Sequence, residues 1–564
     1  MARHRDAHPR RRERRLDAVK RRALSGEHDR AAMRALPGLL ALALALAGCL
    51  GPAADTPKDD PPVADATDAS WAARALDGSH DHADRLAHQN LTTPNFRTVG
   101  YDPMISAAYG TTVRGNLCGD VGVTREGRAL AVVESRGDVA FSLLDVTVPE
   151  EPKWLGEFIL RSTRTYDIAV VPDGRHVALV TSATKTPDQP PAAAPLALRA
   201  DAPTAPGLWF RSACAPGWRA VADATAGPES LVPQPTSLLL IDIGEATNPV
   251  VVDRRPLAGF GHGVSSADVD GRLLVAATAL LCAPGVGCPT AAQTFHFYEV
   301  APTATGTGLK HVSTMTLPLP KEPSTTAQQV GHNDAWIGKH PATNKTIAWV
   351  AAWDDGILTI DLSDLSNPRY LGRWTDHDPA KGMDDSGSWH SVFPLPRLID
   401  GRHFSVVGPE ILSRPTDTPT GVVRVLDTTD PAKMFEVGAW TLPHDVVWKE
   451  RLQWSTHYLT AVNTTGFVSL YHGGVWAFDF SAVTKEAWTN FPTVGVYIPA
   501  YESPKPPAVK MRWTPTVEEV HALPDGTLVT FDGNSGLYAF RFDPSVPVAS
   551  PEAWALAPAK ARTT

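Results

Sequence analysis

The segment ILTIDLSDLSNPRYLGRW, residues 357–374, constrains the fold more than any other, because it recurs. Its relatives are GDVAFSLLDVTVPEEPKWLGEF (137–158), TSLLLIDIGEATNPVVVDRRPL (236–257) and TGVVRVLDTTDPAKMFEVGAW (420–440). Each runs from an apolar strand to an aspartate (Asp145, Asp242, Asp361, Asp427), through a polar turn, into a second short strand. GGVWAFDFS (473–481) and SGLYAFRFDP (535–544) are weaker copies. A further strand pair precedes each unit, as in HVALVTS (176–182), TIAWVAAW (346–353), HFSVVGPE (403–410), FVSLYH (467–472) and TLVTFDG (527–533). Four short strands, repeated roughly every 45 to 70 residues, are the pattern of propeller blades. The 50 prolines and 43 glycines supply the turns such a chain needs. Long amphipathic helices are hard to find.

The expected fold is therefore all-β: a single β-propeller of seven four-stranded blades. Its innermost strands begin near Asp120, Asp167, His262, His332, His390, His457 and His521. The last unit, ending near Pro544, lacks an outer strand, and NFRTVGYDP (95–103) has the outer-strand pattern. The reading has 95–103 complete that blade, closing the ring and removing a free sheet edge.

The repeat around 357–374 resembles the LVIVD repeat, a propeller repeat of exported bacterial and archaeal proteins, over most of residues 115–545. That resemblance implies fold and location. It implies no activity, since LVIVD proteins are mostly without an assigned one.

Residues Met33 to Cys49, MRALPGLLALALALAGC, combine one basic residue, a short apolar run and small residues before a cysteine. The run is short for a membrane span. Leu46-Ala47-Gly48-Cys49 resembles a lipoprotein signal-peptidase box, which implies lipidation of Cys49. The arginine-rich residues 1–32 then read as an extension ahead of a start at Met33. The expected domains are 1–48 (extension and signal peptide), 49–90 (Pro/Ala/Asp-rich tether), 91–548 (propeller) and 549–564 (tail). The expected location is extracytoplasmic, at the periplasm or cell surface, held to a membrane through lipid alone. Without residues 1–48 the chain keeps 40 basic and 56 acidic residues, which argues against nucleic acid as a partner.

Four cysteines follow Cys49. LLCAPGVGCP sets Cys282 and Cys288 across a tight loop, which suggests one disulfide and leaves Cys118 with Cys214 for a second.

Aligning the seven first strands gives CGDVGVT, TYDIAVV, FGHGVSS, VGHNDAW, SWHSVFP, STHYLTA and EVHALPD. Two aspartates and five histidines stand in one register, so they would ring one mouth of the central channel. His377 and His444 fall in crossover loops on the same face. Two readings follow. The LVIVD resemblance implies that such residues bond backbone of the adjoining blade and tie blades together. Alternatively, some of the five imidazoles converge on a cation, copper or zinc, with a position left for water or substrate. STHYLTAVNTTGFVSLYHGGVWAFDF (455–480) is similar in style to the histidine-bearing blades of selenium-binding proteins of the methanethiol oxidase type. That similarity implies histidine-linked copper at His457 and His472. It covers this unit alone, and the family's cysteine motif has no counterpart.

The expected function is a lipid-anchored platform that binds a protein, glycan or small molecule at the channel mouth. The alternative is a metal-dependent enzyme, an oxidase, built on the same histidines.

Overall fold

The structure is a computed structural model. It describes residues 91–104, 119–134, 139–159, 163–183, 236–257, 260–280, 293–304, 306–317, 334–352, 355–375, 389–410, 422–443, 455–471, 473–484, 487–499, 516–533 and 535–550. These residues form seven antiparallel sheets in a propeller ring. The first six blades start with the strands Gly119–Val123, Thr163–Val170, Phe260–Val269, Asp334–Lys339, Trp389–Pro394 and Leu459–Val462. The seventh contains Val517–Ala522, Leu528–Asp532 and Gly536–Phe542, and its fourth strand is Phe96–Asp102. Phe96 pairs with Phe542 and Asp102 with Leu537, so the N-terminal strand closes the ring as its pattern predicts. The fifth blade adds one feature absent from the repeat: Thr489–Asn490 pairs parallel with its outer strand Phe435–Thr441.

Each sheet buries both faces against its neighbours, which explains second strands that are mostly apolar. Ala129–Glu134, Thr346–Ala351 and Phe404–Pro409 are buried at every position. The closing strand is locked the same way. Phe96 packs with Phe467, Tyr497, Phe540 and Phe542, at ring-centroid distances of 5.0–6.3 Å.

The repeated aspartates cap their turns. Asp145, Asp242, Asp361, Asp427 and Asp479 each accept a hydrogen bond from the backbone N–H two residues on, at 2.7–3.0 Å. Four of the carboxylates also pair with a base at the start of the blade's second strand: Arg128–Asp145, Arg175–Asp242, Lys345–Asp361 and Arg402–Asp427.

The repeat's glycine has a separate cause. The LGRW-type outer strand runs against the turn of the next blade. A Cβ on Gly372 would stand 2.6 Å from the Ala432 carbonyl oxygen, and one on Gly100 1.9 Å from that of Pro149. Gly156 meets the Ala246 carbonyl and Gly438 that of Thr489 in the same way. Where a hydroxyl is available it bonds that turn: Thr359 donates to the Pro431 carbonyl at 2.5 Å and Ser313 to the Leu365 carbonyl at 2.6 Å. The turn that ends one blade is thus the surface on which the preceding blade rests. Because backbone, not a flexible side chain, opposes the added methyl, Gly372→Ala should cost about 1–3 kcal/mol, read as a lowered denaturant midpoint with unchanged m-value.

The fourth and fifth blades share a buried histidine pair. His340 and His403 have ring centroids 4.5 Å apart. His403 Nε2 donates to the Leu395 carbonyl at 2.8 Å, and Nδ1 accepts from the Thr428 hydroxyl at 2.7 Å. Burial lowers the His403 pKa to about 4. A depressed histidine must charge as acid unfolds the chain. Its contribution is therefore complete above about pH 6.5 and is lost as pH falls toward 4, on the order of 3 kcal/mol in all. His403→Gln should flatten the stability–pH curve across that window, measured by denaturant titration at each pH.

Candidate metal centre

Among the described residues, Asp120, Asp167 and His457 each hydrogen-bond backbone of the next blade. Asp120 Oδ2 accepts from the Val170 N–H at 2.8 Å, and Asp167 Oδ2 from the Val264 N–H at 2.7 Å. His457 Nδ1 donates to the Glu518 carbonyl at 2.8 Å. These are ties between inner strands, the structural role that the repeat implies.

His390 and His457 are also brought together. His390 is the extra residue of a bulge between Trp389 and Ser391 in the fifth blade. His457 stands two residues before the strand Leu459–Val462 of the sixth. Their rings lie 4.1 Å apart and both are fully buried. Between them sits Glu410, 2% exposed, at the end of the fifth blade's second strand. Glu410 Oε2 is 3.6 Å from His390 Nε2, and Oε1 is 3.8 Å from His457 Nε2. The hydroxyl of Tyr471 donates to Oε1.

The protonation pattern follows from the partners. A carbonyl can only accept, so the proton of neutral His457 is on Nδ1, and the lone pair on Nε2 faces Glu410. Burial drives the Glu410 carboxyl well above the usual carboxylate range, the Tyr471 hydroxyl works against this, and nearby Glu518 adds to it. No lysine or arginine among the described residues pairs with Glu410. Burial alone favours its neutral acid, and a cation shared with the two imidazoles would favour the carboxylate.

A transition metal fits this donor set. Imidazole nitrogens and a carboxylate bind zinc at about 2.0–2.1 Å, which places tetrahedral donors roughly 3.3 Å apart. The 3.6 Å separation of Glu410 Oε2 from His390 Nε2 exceeds hydrogen-bond length and approaches that spacing. One ligand atom from each of His390, Glu410 and His457 falls within 4.8 Å of the other two. The Nδ1–H bond from His457 to a carbonyl is the usual outer support of a metal-binding histidine.

The other predicted positions do not join this cluster or lie beyond description. His521 stands elsewhere: its Nε2 is 3.4 Å from Glu519 Oε2, its ring packs on Phe531, and burial lowers its pKa to about 4. The seventh blade's bulge lies between Val517 and Glu519, so Glu518, not His521, occupies the place of His390. Counting back from the hairpin glycine likewise excludes His521, and it puts the residue after the bulge, Glu519, level with Asp167 and Asp120. Asp120 precedes Gly127, Asp167 precedes Gly174 and Glu519 precedes Gly526 by one common interval. His262 lies within a bulge of Phe260–Val269, with its side chain outside the described residues. His332, His377, His444, His472, Cys49, Cys118, Cys214, Cys282 and Cys288 also lie outside the described residues. Sequence reasoning missed Glu410 and Tyr471, although HFSVVGPE and FVSLYH were visible as strands. The available signal was a carboxylate ending an otherwise apolar strand.

Comparison with known proteins adds little to this geometry. No family model matches the chain, and no curated protein matches it. Among solved structures, Sqt1 of Saccharomyces cerevisiae aligns at 10% identity and a TM-score of 0.41, covering 79% of this chain and 99% of that one. The β-propeller domain of Cps50 (Swd1) from Myceliophteria thermophila aligns at 10% identity and a TM-score of 0.37, covering 76% of this chain and 96% of that one. The propeller assignment rests on the seven sheets themselves.

The tie made by Asp120 can be separated from its charge. Burial pushes its pKa up to about 6. A raised carboxyl favours the protonated fold, so its charge costs stability above about pH 6 and the cost is relieved as pH falls toward the unfolded value. Asp120→Asn keeps an acceptor for the Val170 N–H and should leave stability at pH 7 equal or higher. Asp120→Ala should lower it by about 1–3 kcal/mol, both read by urea unfolding.

Proposed function

We propose that this propeller is a metalloprotein whose centre, formed by His390, Glu410 and His457 between its fifth and sixth blades, binds a divalent transition metal. The observation that carries the reading is the placement of the Glu410 carboxylate, buried and facing two imidazole Nε2 atoms at 3.6 and 3.8 Å. Two histidines and one glutamate make a set that leaves positions for water or a small ligand, as catalytic zinc sites do. With imidazole and carboxylate donors and no thiolate, the set suits zinc, iron(II) or copper(II) better than copper(I). When bound, the metal would supply Lewis acidity. The chain's own part is to hold three donors on two rigid blades and to keep the His457 proton on Nδ1. The reading keeps the wider expectation of an exported, lipid-anchored propeller, supported by MRALPGLLALALALAGC, and it gives that platform a specific ligand in the metal. It replaces the ring of five histidines with two of them and a carboxylate.

Elemental analysis of the purified chain after dialysis with zinc or copper should give about one metal per chain. His390→Ala, Glu410→Gln and His457→Ala should each weaken binding by more than about 100-fold, beyond the effect of losing a supporting residue. His521→Ala should bind as the parent does. Free metal at about 100 times Kd should stabilise the parent by about 2.7 kcal/mol in thermal unfolding, and the ligand variants not at all. A wild-type chain that stays metal-free through this treatment would sink the reading.

A further inference from the structure

The Tyr471 backbone lies at φ 45°, in the left-handed region. A bulky residue is strained in that conformation and holds it only where its surroundings impose it. The backbone has a local reason to bend there. Tyr471 O accepts from the Val517 N–H at 2.9 Å, bridging the sixth blade to the seventh, and the Gly473 N–H closes a turn on the Leu470 carbonyl at 2.6 Å. Neither bond uses a side chain, so glycine or asparagine would make both at little steric cost. Glycines already stand at 473 and 474. The tyrosine must therefore be explained by its side chain. That side chain is buried, with its ring 5.1 Å from that of His457 and its hydroxyl donating to Glu410 Oε1.

The consequence falls on the two oxygens of Glu410. Oε1 is engaged by the Tyr471 proton. Oε2 accepts no hydrogen bond among the described residues and faces His390 Nε2 at 3.6 Å. We infer that Tyr471 is the positioning residue of the metal centre: its strained backbone aims the hydroxyl at Glu410 Oε1, fixing the carboxylate so that Oε2 alone is presented to the metal. The inference rests on the metal-centre reading above and adds to it a specific geometry, one-oxygen rather than two-oxygen ligation by Glu410, with a coordination position kept open as a result. A carboxylate with both oxygens free can close over the ion and occupy that position.

Tyr471→Phe tests this, because it keeps the ring against His457 and removes only the hydroxyl. The metal-free variant should show circular dichroism and a thermal midpoint like those of the parent. Zinc affinity, measured by competition with a chelating indicator, should fall 10–100-fold. Cobalt(II) substituted at the centre should report the change in ligation directly. Its visible absorption should weaken and shift as the freed carboxylate binds through both oxygens and raises the coordination number. Packing alone would not move that signature. Tyr471→Asn, which accepts positive φ but cannot place a hydroxyl on Glu410, serves as the second variant. It should show the same affinity loss whatever its change in stability. Wild-type-like zinc affinity and cobalt spectrum in Tyr471→Phe would overturn the positioning role while leaving the centre intact. Failure of the wild type to bind zinc or cobalt would overturn the centre, and this role with it.

Discussion

The rest of this propeller depends on one strand pairing that shuts the ring. The strand Phe96–Asp102 supplies the ladder that Gly536–Phe542 would otherwise present to solvent. Shutting the ring brings Gly100 against the Pro149 carbonyl of the first blade. That contact repeats the one other outer strands make with the turns that follow them, so the closing strand behaves as an ordinary repeat member that happens to come first in the chain. Continuous blade-to-blade packing is what allows the inner strands to bury polar groups, since each such group can find backbone of the next blade within reach.

Burial of polar groups takes two forms. Asp120 and Asp167 meet backbone N–H groups, and His457 meets a carbonyl. These are satisfied in the way a buried polar side chain should be. Glu410 differs in kind. Among the described residues it has one hydroxyl donor and two imidazoles beyond hydrogen-bond length, a costly desolvation with little hydrogen bonding to offset it. Sites of that sort are where a fold gives up stability for chemistry.

The blades were legible in the sequence because their causes are local. Strand alternation, the Asx-capped turn and the outer-strand glycine recur in most of the repeats, and the copies reinforce one another. The orphan strand at 95–103 was legible for the same reason. The centre was only half legible. His390 and His457 stood out because they recur in register, whereas Glu410 and Tyr471 belong to single blades and their meeting depends on contacts between blades. His521 shows the limit of the alignment. A shared histidine drew the seventh strand out of step, and the spacing to the hairpin glycine, which carries the geometry, places Glu519 opposite Asp120 and Asp167.

The position of the closing strand bears on how the molecule is made. Tyr101 hydrogen-bonds a backbone carbonyl 434 residues further on. The strand Phe96–Asp102 must therefore wait, without its partner, until the last blade has been synthesised. Throughout that interval both ends of a growing arc of blades offer bare strand edges, to each other and to neighbouring copies. Order of synthesis, more than final stability, sets when this chain is at greatest hazard. A nascent chain interrupted anywhere before Gly536 would carry every repeat it has made and still have no way to close.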